Sequence, residues 1–299
     1  MQKVHQANDK FFKAAFQYPS IVEEFLAYFM PKLLVNALDL KALVLDSTNY
    51  IGDNLAEFYS DVVYSCTING KAIKVILLFE HKISVGHDIY LQLMIYIIAI
   101  LKQNHTNHKR YDIVIPIVIY QGKDKFERRP FHTYFEDLDP QFIPYIPQFN
   151  FELVDIQKIG DAEILSFSDD SPFKGILLTM KHSKEKSFIK KYFEEILRFS
   201  TNKPHWDSLF KQIIVYLSER LNLGKDEMSE IINLQLNENL IMKSVTAVQE
   251  WRLEGKIEVV KEAWKKKFSI ELTSELTKMS VKEIKQLYNQ FENEAKAKI

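Results

Sequence analysis

Apolar residues recur along this chain in two rhythms. Through the first half, short continuous or alternating apolar runs lie between stretches with helical spacing; from about Ser171 onward the spacing is helical alone. At the start, Phe11, Phe12, Ala15 and Phe16, then Val22, Phe25, Leu26 and Phe29, repeat at helical intervals across Asp9–Met30. Pro19 removes a backbone donor inside that stretch, which predicts two helical pieces. Leu38–Leu45 reads as a short first strand. Glu57–Thr67 and Ala72–Lys82 read as a hairpin turning at Asn69-Gly70. In its second arm Val75, Leu77 and Phe79 on one face and Ile76 and Leu78 on the other are all apolar, as in a central strand covered on both sides. Asp88–Gln103 follows as a very apolar helix with Asp88 as its cap. Asp112–Tyr120 is another buried strand, in which Pro116 predicts an edge or a bulge. Gln121-Gly122 ends it, and Phe149–Leu153 is one strand more. Helix, strand, hairpin, helix, strand predicts an α/β layered core.

In the second half, Ile176–Met180, Phe188–Phe199 and Trp206–Arg220 carry apolar residues at helical spacing. Glu250–Lys267 is a charged helix with Trp251, Leu253, Ile257, Val260 and Trp264 as its apolar positions, followed by two short helical pieces, Ile270–Lys278 and Val281–Tyr288. Ser280 with Glu283 three residues on fits a capping box. The predicted organisation is a core over 1–160, a helical extension packed on it over 161–245, and a C-terminal helix with a small helical module over 246–299.

Composition narrows the class. The 299 residues are 46% hydrophobic, enough for one large domain and an appendage, and the 8 glycines and 9 prolines are too few for a collagen-like or linker-rich chain. The single cysteine, Cys66, excludes an internal disulfide and favours a reducing compartment. Met1–Gln6 lacks the apolar core of a secretory signal, and Leu93–Leu101 is too short to span a bilayer. The expectation is a soluble cytoplasmic protein with no membrane contact and no nucleotide cofactor. A net charge of −1 argues against a highly basic nucleic-acid coat, but not against a nuclease, whose cations need only cluster locally.

Chemistry concentrates at Glu80-His81-Lys82, the end of the apolar run Ile73–Phe79. Residues two apart on a strand share a face, so Glu80 and Lys82 set a carboxylate beside an ammonium. With Ile68 and Lys71 flanking the turn, Asp61 faces Leu78 and Glu80 is its diagonal neighbour, a spacing of roughly 7–8 Å from which side chains converge. Two carboxylates beside a lysine can hold a hard divalent cation and a water. Taken alone, Glu80 and Lys82 read more readily as an ordinary surface ion pair at the end of a strand, since two-residue patterns occur by chance. Gln92 lies in an apolar helix and must find a partner. Tyr96 is four residues on, on the same face, and reads alternatively as a simple core position. Glu57 reads as a solvated strand-end charge, Asp9 as a helix cap and Lys10 as a surface lysine. His105 and His108 lie among Asn and Thr residues that read as a loop, so zinc is not expected there. Lys123, Lys125, Arg128 and Arg129, in the loop after Gln121-Gly122, are the best placed cations for phosphate contacts. Lys181, Lys184, Lys186, Lys190 and Lys191, and Lys265-Lys266-Lys267, read as solvated surface. Phe268–Tyr288 has the outline of a helix-turn-helix piece, or of a small oligomerisation or DNA-positioning module.

Five stretches carry a resemblance: Asn8–Lys13, Tyr59–Tyr64, Leu77–Lys82, Leu91–Tyr96 and Val114–Gly122. In this order and spacing they are similar to the recombination-promoting nuclease / putative transposase family of bacteria, within the wider PD-(D/E)xK nuclease superfamily. The resemblance covers the first half closely and the C-terminal part more loosely. Ser60 stands before Asp61 where the superfamily's name has proline, and Lys82 is kept where many relatives carry glutamine. The resemblance implies a restriction-endonuclease-like core, a central mixed sheet flanked by helices, with an all-helical C-terminal region. It implies a Mg²⁺-dependent DNA endonuclease, with Mn²⁺ as a substitute ion, acting in recombination or DNA mobilisation. Asp61, Glu80 and the His81 backbone carbonyl would hold the metal. Lys82 would orient water or stabilise the developing charge, and Gln92 would point back toward the metal ligands or a phosphate. Asp9, Lys10, Tyr96 and Gln121 would line the cleft with the loop cations. DNA is the implied partner, and double-strand cleavage would favour a homodimer. Two other readings stay open: the same fold kept without catalysis as a DNA- or partner-binding module, and a two-carboxylate glycosidase, in which Lys82 has no evident role.

Overall fold

The computed structural model describes residues 2–46, 62–68, 71–82, 89–109, 111–169, 171–200, 206–223, 227–228, 231–232, 249, 253 and 255–296, with 2–6, 71–81, 108 and 200 described by their backbone. The chain folds as two compact units, residues 1–224 and residues 225–299.

In the first unit β1 (Val44–Leu45), β2 (Val62–Ile68), β3 (Lys71–Lys82), β4 (Ile113–Tyr120) and β5 (Glu152–Asp155) lie side by side in chain order. The β1–β2 and β2–β3 pairs are antiparallel, while β3–β4 and β4–β5 are parallel. A parallel step needs a long connection, and α4 (Ile89–His108) makes the one between β3 and β4. The predicted mixed sheet is therefore present.

Val63 and Tyr64 show which helices cover which face. Neighbouring residues of a strand point to opposite sides. Val63 packs into a cluster of Ile89, Leu93, Tyr96 and Ile100 from α4 with Val118 and Tyr120 from β4. Buried Tyr64 points the other way and donates its hydroxyl to the Phe16 carbonyl at 3.0 Å. Phe16 ends α1 (Gln2–Phe16), and Pro19 opens α2 (Pro19–Phe29), where its missing N–H costs nothing. After α3 (Lys32–Ala37) and, beyond the sheet, α5 (Asp161–Leu165), three longer helices follow: α6 (Phe173–His182), α7 (Lys186–Leu197) and α8 (Asp207–Leu221). Phe11 of α1 stacks on Tyr216 of α8 with centroids 4.3 Å apart.

Several expectations need revision. Only Val44–Leu45 of the predicted first strand is extended; Leu40–Ala42 is a 3-10 turn and Leu38 makes a lone bridge to Ile68. The last strand is Glu152–Asp155, later than Phe149–Leu153. Helix α4 continues through His105 to His108, where a loop was expected. Pro116 lies in a strand with neighbours on both sides, yet β5 pairing begins only at Ile117. At Pro116 itself β4 is an edge, so the missing donor leaves no gap in the β5 ladder. In the hairpin Ile68 and Lys71 pair as expected, but an irregularity between Thr67 and Ile68 shifts the remainder. Val62 consequently pairs with Phe79, not with Leu77. Asp61, Glu57, Asn69, Gly70 and Asp88 lie outside the described residues.

In the second unit a helix over 255–265, the helix Ile270–Thr277 and the helix Val281–Lys296 gather around Val260, Met279, Ile284 and Phe291. The last helix runs past the expected end at Tyr288. The capping box forms: the Ser280 N–H donates to Glu283 at 2.8 Å, and the Glu283 N–H to the Ser280 hydroxyl at 3.3 Å. No helix among the described residues is long and apolar enough to cross a membrane.

Gly175 fixes how closely α6 approaches α7. A Cβ placed there would collide with the Ile196 backbone carbonyl, which cannot swing away as a side-chain tip can. Gly175→Ala is expected to destabilise the first unit by about 1–3 kcal/mol despite the better helix propensity of alanine, read as a lowered urea midpoint. An unchanged or raised midpoint would contradict this packing.

Candidate active site

Strands β3, β4 and β5 run parallel, so their carboxyl ends lie together: Lys82 pairs with Tyr120, and Tyr120 with Asp155. Ligand sites of open α/β sheets collect at such ends. Half-buried Lys82 donates its ammonium to Gln92 Oε1 at 2.6 Å, and Gln92 Nε2 donates to the Tyr96 hydroxyl at 3.1 Å. Four-residue spacing stacks Gln92 over Tyr96 on one helical face. The polar side chain in an apolar helix is thus satisfied at both ends of its amide, and it fixes the lysine. Tyr96 is 2% exposed, so it holds Gln92 from within the core and offers no cleft surface, contrary to its expected place as a cleft contact.

Glu80 lies two positions before Lys82 and pairs through its backbone with Val118. The Lys82 carbonyl faces β4, where it accepts from the Gln121 N–H at 2.8 Å. Carbonyls alternate sides along a strand, so that of His81 is directed toward the β2 side. Val62–Phe79 is the last described pair of the hairpin ladder. Asp61 is the residue before Val62 and Glu80 the residue after Phe79.

Gln121 is not a cleft residue. It is 9% exposed, and its side-chain amide donates to the Met180 carbonyl and lies 3.3 Å from both Ser183 Oγ and Tyr216 Oη. Tyr216 in turn donates to Asn8 Oδ1 at 2.7 Å. This chain of contacts brings the Asn8-Asp9 part of α1 to the Lys82 end of the sheet. Asp9 is half-buried and Lys10 exposed. Gln157, which the sequence did not single out, donates to the carbonyls of Gln121 at 3.4 Å and Lys181 at 3.3 Å.

The four loop cations separate by partner. Lys125 pairs with Glu127 and holds that carboxyl below its usual range, with Arg129 3.9 Å from the same acid. Arg128 donates to the Phe151 carbonyl and lies 5.9 Å over the Phe151 ring. Lys123 is exposed and makes no ion pair among the described residues. In the next basic run Lys181 pairs with Asp161 at 2.6 Å, while buried His182 bridges Asp161 and Glu185 at 2.9 and 3.0 Å. Among the described residues no group of three His, Cys, Asp or Glu residues is arranged to hold a metal.

Residues 6–214 match the family described as "Putative transposase, YhgA-like". The chain belongs to this family. This YhgA-like chain is 30% identical over 162 residues to the recombination-promoting nuclease RpnA of Escherichia coli strain K12, covering 53% of the chain and 54% of that relative. It is 25% identical over 211 residues to the inactive recombination-promoting nuclease-like protein RpnE of the same strain, covering 69% and 70%. With the recombination-promoting nuclease RpnD of Escherichia coli O157:H7 it shares 26% over 164 residues, covering 53% and 62%. The match thus spans little more than half the length of RpnA. No solved structure matches the chain. Family relatives are named nucleases, and one is named inactive.

Gln92→Leu would strip the Oε1 acceptor from Lys82 and the Nε2 donor from Tyr96. We expect a stability loss of about 1–3 kcal/mol in urea unfolding, and a smaller loss for Tyr96→Phe, since Gln92 keeps Lys82. Equal losses would show that Gln92 is not the bridge.

Proposed function

We propose that this YhgA-like chain is a Mg²⁺-dependent DNA endonuclease with a restriction-endonuclease-like core. The observation that carries the reading is the Lys82–Gln92–Tyr96 chain at the carboxyl end of β3, with Glu80 two residues before the anchored ammonium. An immobilised lysine beside a carboxylate position, at the edge where parallel strands end, is what water-activated hydrolysis of a phosphodiester requires.

Each group has a role in this reading. Asp61, Glu80 and the His81 backbone carbonyl would hold the ion. The donors are all oxygen, which suits Mg²⁺ and admits Mn²⁺ in its place. Their meeting would follow if the ladder ran one pair further, since Asp61 precedes Val62 and Glu80 follows Phe79 in the last described pair. The chemistry such an ion supplies is charge neutralisation at the phosphate and a more acidic water. Lys82 steadies the negative charge that builds on the phosphoryl oxygens as the water oxygen bonds to phosphorus and the ester P–O bond breaks. Gln92 positions Lys82. Paired cuts would require a second copy of the chain.

Incubation of supercoiled plasmid with the protein and Mg²⁺ tests this reading. Nicked or linear product is expected, lost on chelation and lost in Asp61→Ala and Glu80→Ala with unchanged circular dichroism. Lys82→Ala is expected to retain at most about a hundredth of the rate. Cleavage that survives Glu80→Ala would overturn the assignment. The name of RpnE, matched over 69% of the chain, supports a second reading, a DNA- or partner-binding relative without catalysis. Wild-type protein that binds duplex DNA but leaves it intact with either ion would favour that reading.

A further inference from the structure

We propose that Lys123, Lys184 and Arg220 form an anion site beside the active edge of the sheet, and that it takes the phosphodiester backbone flanking the cleaved bond. The identity of the ligand as DNA rests on the nuclease reading; the site itself rests on the geometry.

The three cations are distant in sequence, and Gln121 gathers them. Its amide lies 3.3 Å from Ser183 Oγ and from Tyr216 Oη. Lys123 is two residues beyond Gln121, Lys184 is the residue after Ser183, and Arg220 lies one helical turn past Tyr216 on α8. The Gln121 backbone N–H also donates to the Lys82 carbonyl at 2.8 Å. The cluster therefore sits at the same end of the sheet as Lys82.

What marks these three is that they gather around Gln121 with no acid among them, whereas several other cations of the first unit are paired. Lys125 has Glu127, Lys174 has Asp169, Lys181 has Asp161, and Arg198 has Asp169 and Glu194. Lys123, Lys184 and Arg220 make no ion pair among the described residues, and Arg220 Nε is buried with no hydrogen-bond partner. The groups are close enough to repel: burial, then Arg220, then Lys123 push the Lys184 ammonium below its ordinary pKa. Gathered like charges oppose folding unless something anionic offsets them. Phosphate suits this set, with a guanidinium fork from Arg220 and point charges from two lysines. Lys123 and Lys184 are exposed, so the site faces open solvent, where a polymer backbone can lie across it.

The test is fluorescence anisotropy of a labelled DNA duplex with chelator present, so that cleavage plays no part, across a salt series. Lys123→Ala/Lys184→Ala avoids the partly buried arginine and keeps the fold at low risk. The double variant is expected to bind at least about tenfold more weakly at low salt. Its slope of log affinity against log salt should be shallower by about two. Wild-type affinity and slope in a folded double variant would overturn the site. Loss of competition by inorganic phosphate alone, with duplex affinity unchanged, would make it a free-phosphate site and overturn the backbone assignment. A wild type that binds duplex through these lysines but never cuts it would sink the nuclease reading and leave this site standing.

Discussion

The backbone N–H of Gln121 donates to the carbonyl of Lys82, and the Gln121 side chain is buried among Met180, Ser183 and Tyr216. Much of the candidate site depends on this pair of roles. The backbone bond fixes where β3 ends against β4, and so fixes the height of Lys82 on the sheet. The side-chain bonds tie that edge to α6 and α8, and through Tyr216 to Asn8 of α1. A buried amide left unpaired costs about 1–3 kcal/mol, so the helices can approach this edge only in the arrangement that satisfies it.

Apolar contacts hold the layers, and polar groups are used sparingly at the edge. Lys82 and Gln92 partner each other beside the cluster of Ile89, Leu93, Tyr96, Val118 and Tyr120. In such surroundings a hydrogen bond is stronger and a misplaced charge dearer than in water. The lysine is thereby held in one place by the fold itself. The cations fall into two populations on the same grounds. Those with acid partners, such as Lys174 and Lys181, belong to the fold. Lys123, Lys184 and Arg220, which make no ion pair among the described residues and lie together, are the ones we assign to an anion brought from outside.

A family that includes both proteins named nucleases and one named inactive is physically reasonable for this architecture. The stability of the first unit rests on its apolar clusters, on close helix contacts such as Gly175 against Ile196, and on the Gln121 network. A scaffold held by such contacts can keep its fold while surface chemistry changes.

The sequence by itself determined the element types. The helical repeat through Phe11 and Phe25, the doubly apolar run of β3 and the Ser280–Glu283 cap are local signals, written within a few residues of one another. It also placed Glu80 beside Lys82 and marked Gln92 as a polar group in need of a partner, because strand and helix periods settle both. What it could not settle was anything that depends on two distant segments meeting. The irregularity at Thr67–Ile68 moved Val62 from Leu77 to Phe79. Pro116 is tolerated because β5 begins pairing one residue later. Gln121 looked like a cleft residue until the helices closed over it, and Lys184 and Arg220 joined Lys123 only through that closure. Register, burial and charge clustering are set by packing between segments far apart in the chain, and a local pattern carries no record of which far segment will arrive.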